Sequence, residues 1–242
     1  MICKLAGSSW GADAKTLRTA ALGLVYSAAE YCCSTWLNSS HVQLIDVQLN
    51  NVMRKITGCI LSTPIPWLST LSNIAPPNCR RKELTSRLTR KSLALDCSLL
   101  SRFLKDIPPD RLKSRRPIQP MLLELSNYNI INAWNEYWSD ASVFNNELID
   151  DPTSKPGGFN LKRREWVLLN RLRTGHGKCN HHLAQWNPGI YSSSCDCGIL
   201  DQTMAHIVLT CPLRRFLGTF KELSDAETPR STDWLTNLDL LL

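Results

Sequence analysis

Apolar residues recur at steps of three and four along much of the chain, a spacing that predicts helices. Over residues 16–36, Leu17, Ala21, Leu24, Val25, Ala28, Tyr31, Cys32 and Trp36 fall on one face of an amphipathic helix, with Asp13 or Thr16 as its cap. Ser39 and Ser40 restart the chain. Val42, Ile45, Leu49, Val52, Met53 and Ile56 then form the stripe of a second helix, stopped by Gly58. So short a connection predicts an antiparallel helical hairpin. Residues 62–77 hold four prolines around Trp67, which predicts a short helix over 67–74 between proline-bounded turns. A third long helix is expected from about residue 78 to 104, leucines inward and basic residues outward. Trp134, Tyr137 and Trp138 mark a short helix at 132–138. From Leu161 the period returns, with Trp166, Leu169 and Leu172 facing inward and Gly175 ending the run. A further short helical segment ends at Trp186, before a turn at Pro188 and Gly189. No long strand pattern, internal repeat or low-complexity tract interrupts this series. The fold class is mainly α.

Residues 108–120 carry four prolines and several basic residues with almost no apolar content, and read as linker. The chain therefore divides into a helical domain at 1–107, a linker and partly ordered connection at 108–160, and a basic helix with a small α-rich cysteine-bearing lobe at 161–242. A composition of 43% hydrophobic residues with eight tryptophans argues against disorder. Nothing near the start resembles a secretory leader, and the apolar run at 20–29 is too short to span a bilayer. Ten cysteines without a leader point to a reducing compartment, hence an intracellular location in cytoplasm or nucleus, with no membrane partner.

Charge sharpens the functional reading. The net charge is +7, but residues 80–116 hold twelve Lys/Arg against four Asp/Glu, and residues 161–178 hold six against one. Segments 117–160 and 216–242 are net acidic. Cations gathered in two stretches suit a partner with a phosphate backbone, RNA or DNA. The residues expected to meet it are Arg80, Arg81, Lys82, Arg87, Arg90 and Lys91 in the first stretch. Lys162, Arg163, Arg164, Arg171, Arg173 and Lys178 are their counterparts in the second. A solvated helix face that touches nothing is the competing reading.

The densest chemistry lies in CDCGILDQTMAHIVLTC at residues 195–211, which spaces Cys195, Cys197, His206 and Cys211 as Cys-x-Cys-x8-His-x4-Cys. Three thiols and one imidazole close a tetrahedral zinc shell and leave no open position for a substrate water, so the site reads as structural. Asp196 and Gly198 mark a tight turn around the first pair. The second pair sits on an apolar run, Ile207 to Leu209, that looks helical and is stopped by Pro212. Cys179 and His182 form a nearby Cys-x2-His pair, read as packing or surface residues, with a substitute ligand or an incomplete second site as the alternative.

Four blocks, in order, carry a family resemblance. KLAGSSWGADAKTLRTAALGLVYSAAEYCCSTW (residues 4–36) resembles the region just downstream of the palm in non-LTR (LINE/jockey-like) retrotransposon reverse transcriptases. WLSTLSNIAPPNCRR (67–81), WVLLNRLRTGHGKC (166–179) and CDCGILDQTMAHIVLTCPL (195–213) resemble successive later blocks of the same polyproteins. The resemblance implies that residues 1–107 form a thumb-like helical domain that grips a template–primer duplex. It also implies that Cys195, Cys197, His206 and Cys211 are the ligands of a zinc knuckle used in nucleic-acid handling. Polymerase chemistry needs paired carboxylates holding divalent ions. The only adjacent acidic pair, Asp150 and Asp151, stands in a proline-flanked stretch that reads as loop. The family's palm and endonuclease would lie upstream of Met1.

The expectation is therefore a non-catalytic C-terminal fragment of an RNA-directed DNA polymerase that binds RNA or DNA. Its own missing polymerase domains are a possible partner in trans, and no small-molecule substrate is expected. The alternative is a zinc-stapled helical protein-interaction module with no nucleic-acid role. A hydrolase built on His176 or on His181 and His182 lacks an assembled nucleophile and orienting carboxylate.

Overall fold

The computed structural model describes residues 4–95, 98–106 and 118–240. It is mainly helical, as the periodicity predicts, with no strand among the described residues beyond a single bridge between Ala6 and Gly11. No described helix is long and apolar enough to cross a membrane. The linker expected at 108–120 lies, as far as residue 117, outside the described residues.

α1 (Ala14–Ala20) starts where the Asp13 carboxylate accepts the Thr16 backbone N–H at 2.7 Å. The single helix expected over 16–36 is not continuous. Its winding loosens into a π-helical stretch at Ala21–Tyr26 and resumes as α2 (Ser27–Ala29). It then turns at Cys32, held left-handed at φ 50°, into α3 (Cys33–Trp36). The looser winding carries Leu17, Ala21 and Tyr26 into the core together. Leu24, Tyr31 and Cys32, assigned by the period to the same face, stay exposed.

α4 (Val42–Thr57) stops at Gly58, whose left-handed φ of 72° lets its N–H close on the Arg54 carbonyl. α5 (Ile65–Ser72) has Pro66 in its first turn, where the missing N–H costs nothing, and buries Trp67, Leu68 and Leu71 completely. α6 (Pro77–Ala94) ends before Leu95, which is extended at φ −107°, and α7 (Leu99–Lys105) starts afresh on a Ser98 cap. The inner face of α6 also departs from expectation. Leu88 is exposed, while Cys79, Thr85, Ser86, Thr89 and Ser92 are buried. Small side chains let the neighbouring α3 and α9 (Ile130–Asp140) come close, and the Thr89 hydroxyl donates back to the Thr85 carbonyl at 3.0 Å.

α8 (Ile118–Glu124) and α9 flank α6, and α9 is capped by Asn129. α10 (Arg163–Thr174) ends at Gly175, φ 71°, as read from the sequence. α11 (Asn180–Trp186), α12 (Phe220–Asp225) and α13 (Pro229–Asn237) complete the chain.

Two cores share α10. Trp166 packs with Leu17, Tyr26, Leu49, Met53, Ile56, Trp67, Trp138 and Phe159. Leu168, Leu169 and Leu172 pack with Cys179, Met204, Ile207, Val208, Leu223 and Leu235. Trp67 meets Trp138 edge-on at 4.9 Å, and Phe159 meets Trp166 at 5.3 Å. Burying an aromatic ring of this size removes roughly 200 Å² from water, about 5 kcal/mol as an upper bound.

Polar side chains of α10 also join it to its neighbours. The last carbonyls of a helix lack intrahelical partners. At the end of α4, Arg163 donates to Ile56 O (2.7 Å) and Lys55 O (2.7 Å), Trp166 Nε1 to Ile56 O (3.0 Å), and Asn170 to Thr57 O (2.9 Å). Arg164 does the same at the end of α13, reaching Leu235, Thr236 and Leu238 carbonyls. Gly58 permits the close approach: a Cβ built there would sit 2.2 Å from Val167 Cγ2. Gly58→Ala should therefore cost about 2–4 kcal/mol, combining left-handed strain with overpacking. Urea unfolding measures it, and an unchanged midpoint would contradict this contact.

Candidate functional site

The four residues of the Cys/His motif converge. One donor atom from each of Cys195, Cys197, His206 and Cys211 lies within 4.8 Å of every other, so the group could hold a metal ion. Among the described residues it is the only such cluster. Two thiols come from a turn closed by Cys195 N–H to Ile199 O at 2.8 Å and Gly198 N–H to Cys195 O at 2.9 Å. Gly198 takes φ 92°, which favours glycine there. The other two donors flank a π-helical turn, His206–Thr210, whose Ile207 and Val208 are anchored in the core under α10. Apolar burial thus fixes one half of the site and a backbone turn the other.

The distances suit an ion. Cys195 Sγ and Cys211 Sγ are 3.8 Å apart, far beyond a disulfide, and Cys197 Sγ lies 3.3 Å from His206 Nε2. A tetrahedral shell at ordinary metal–thiolate and metal–imidazole lengths has edges of about 3.6–3.8 Å. His206 turns Nε2 to the thiols while its Nδ1 lies 2.8 Å from Thr210 Oγ1. That hydroxyl fixes the ring, and by accepting a hydrogen bond from Nδ1 it would leave Nε2 free to ligate. Burial opposes the Cys195 thiolate, but the Cys197 backbone N–H and the Gln202 amide outweigh it, bringing the thiol down to about 6. Arg214 bridges the Asp196 carboxylate and the Cys195 sulfur, tying the turn at 195–199 to the chain beyond Cys211. Thr210 and Gln202 escaped the sequence reading. A hydroxyl four residues after a ligating histidine in a helical run was the available signal.

Cys179 and His182 face each other at 3.2 Å and stand outside the four-donor cluster. Burial pushes the Cys179 thiol up and the His182 imidazole down. His182 is instead the middle of a stack, with His176 at 5.7 Å on one side and Trp186 at 5.8 Å on the other.

The residues expected to meet phosphate divide sharply. Arg81 is buried in a two-pronged ion pair with Asp46 of α4, and Arg80 grips Glu30 at 2.6 and 2.7 Å. Arg163, Arg171 and Arg173 are buried in α10. All three Arg163 nitrogens donate to carbonyls, the third reaching Gly7 O at 2.8 Å. Arg173 donates to Asn170 Oδ1 and Gly157 O, and to the hydroxyl and carbonyl of Ser224. Arg164 is half-buried on the α13 carbonyls. Arg80, Arg81, Arg163, Arg164 and Arg173 thus spend most of their donors inside the fold, on carbonyls, carboxylates and neighbouring polar side chains. The second cationic stretch keeps exposed Lys162 and half-buried Lys178. The first keeps Arg87 and Arg90, both reaching Glu83, with exposed Lys91 and half-buried Lys82 over the Tyr128 ring.

No family model matches the chain, and neither a curated protein nor a solved structure does. The site's chemistry therefore rests on its own geometry. Replacing Cys195 and Cys211 together with serine should abolish bound metal, read by elemental analysis of dialysed protein. Thr210→Val should weaken metal affinity by about 10–100-fold, the usual effect of losing a partner of a ligand. Full metal retention in the double serine variant would remove the site.

Proposed function

We propose that the chain is a non-catalytic nucleic-acid-binding protein of the thumb-and-knuckle type found in non-LTR retrotransposon reverse transcriptases, with zinc as the ion of its knuckle. The observation that carries the reading is the convergence of three thiols and one imidazole. That donor set suits zinc, and four protein ligands leave no place for a substrate water. The ion would clamp the knuckle, and its role there is structural. The ordered series of four sequence blocks supports the family reading, and the exposed cations Arg87, Arg90, Lys91 and Lys162 would supply sequence-independent attraction for phosphates. Trp186 and Tyr191, both partly exposed near the knuckle, offer rings on which unstacked bases can lie.

One observation favours the second reading, a zinc-stapled protein-interaction module. Ile199, Leu200, Leu209 and Leu213 leave apolar surface open around the knuckle, where a protein partner could dock. A salt titration of binding to single-stranded RNA separates the two. Nucleic-acid binding predicts that log affinity falls linearly with log salt, at a slope of about −0.7 per phosphate neutralised. A flat response, or self-association without RNA affinity, would overturn the proposal in favour of the protein-docking module.

A further inference from the structure

A groove of about 990 Å³ opens between the end of α4 and the start of α10, on the N-terminal side of the knuckle lobe. That volume lies at the upper end of the range of ligand pockets. Arg54, Lys55, Arg163 and Arg171 line it, and no carboxylate does among the described residues. Four cations around an opening with no counter-charge make a strong field for an anion.

Two of these side chains are incompletely used by the protein. Arg171 is 95% buried, and its Nε donates to Gly58 O at 3.2 Å, yet its Nη1 has no hydrogen-bond partner. Arg54 reaches Asn51 and Leu61 O with its terminal nitrogens while its buried Nε is also unpartnered. Both unpartnered nitrogens are closed off from solvent as the groove stands, and buried polar groups are almost always satisfied, so a ligand that shifts either side chain would supply the acceptor it lacks. Burial and mutual repulsion lower the affinity of Arg163 for its proton, and burial does the same for Arg171, as expected where cations crowd without an acid.

The groove also has an aromatic edge. Trp186 lines it, and Trp186 is the outer member of the stack with His182 and His176. His176 in turn lies 3.2 Å from Ser62 Oγ, another lining residue. A cationic floor beside a braced indole matches the two faces of a nucleotide: phosphate oxygens toward the guanidiniums, base upon the ring.

We infer that this groove is the primary grip on a single strand, with a phosphodiester on Arg54 and Arg171 and a base stacked on Trp186. The inference rests on the nucleic-acid reading above and gives it a location. It also assigns Arg54, Lys55 and Trp186 a joint role that the charge pattern along the chain does not reveal.

The test uses the full chain and two probes, a short single-stranded RNA and a nucleoside monophosphate. Arg54→Gln, Lys55→Gln and Trp186→Leu each remove one groove contact, and Lys155→Gln removes one exposed charge elsewhere. Arg54→Gln and Trp186→Leu should each weaken RNA binding by about tenfold. Arg54→Gln and Lys55→Gln should each lower the steepness of the salt dependence by about one unit. Lys155→Gln should leave both nearly unchanged. Because Arg171 also supports Gly58, Arg171→Met is read only alongside its melting temperature. RNA binding by the parent chain that ignores all the groove variants would overturn the groove and leave the nucleic-acid reading standing. A thermal shift by the monophosphate that depends on Arg54, with no RNA binding, would keep the pocket but overturn its assignment to a strand. Absence of both responses would overturn both.

Discussion

The fold depends on cations that leave water to sit on helix ends. The carbonyls at the end of α4 carry partial negative charge and have no partners within their own helix. Arg163, Trp166, Asn170 and Arg171, all from α10, supply the donors. Arg164 meets the α13 end in the same way. No carboxylate ion-pairs with Arg163 or Arg173 among the described residues, so carbonyl dipoles compensate for their desolvation. Burial brings Arg163 down to about 10 and Arg173 to about 9, values at which both remain protonated at neutral pH. Because each guanidinium has several donors in a rigid fork, lysine could not take its place. The arrangement ties residues more than a hundred positions apart, which local periodicity never does.

This hub also positions the chemistry. One face of α10 closes the first core through Trp166, and its later turns hold Ile207 and Val208 beneath the Cys/His cluster. The metal-ligand geometry is thus mounted on the same helix that caps α4. The cationic groove lies where α4 and α10 meet, and two of its arginines, Arg54 and Arg171, each keep one buried nitrogen without a partner.

The sequence revealed whatever depends on local spacing. The 42–57 helix with its Gly58 stop and the 163–174 helix with its Gly175 stop were legible, because apolar period and left-handed glycines act within one turn, while the first cap was narrowed only to Asp13 or Thr16. The Cys/His cluster was legible because a ligand set restricts residue type and spacing together. Long-range effects were not legible. The π-helical widening at Ala21–Tyr26 goes with the burial of Ala21 and Tyr26 in the first core, and the buried hydroxyl face of α6 with the close approach of its neighbours. Periodicity cannot distinguish an arginine in water from one bonded to a distant carbonyl, so the charge runs overstated the surface available to phosphate.

The most direct test of the hub is equilibrium unfolding in urea of Arg163→Met beside Lys162→Met, adjacent cations in sequence with opposite placement. Arg163→Met should lose about 3 kcal/mol or more, because it strands buried carbonyls at the end of α4. Lys162→Met, exposed, should stay within about 0.5 kcal/mol of the parent. Equal stability of the two variants would contradict the claim that buried cations on helix ends hold this chain together.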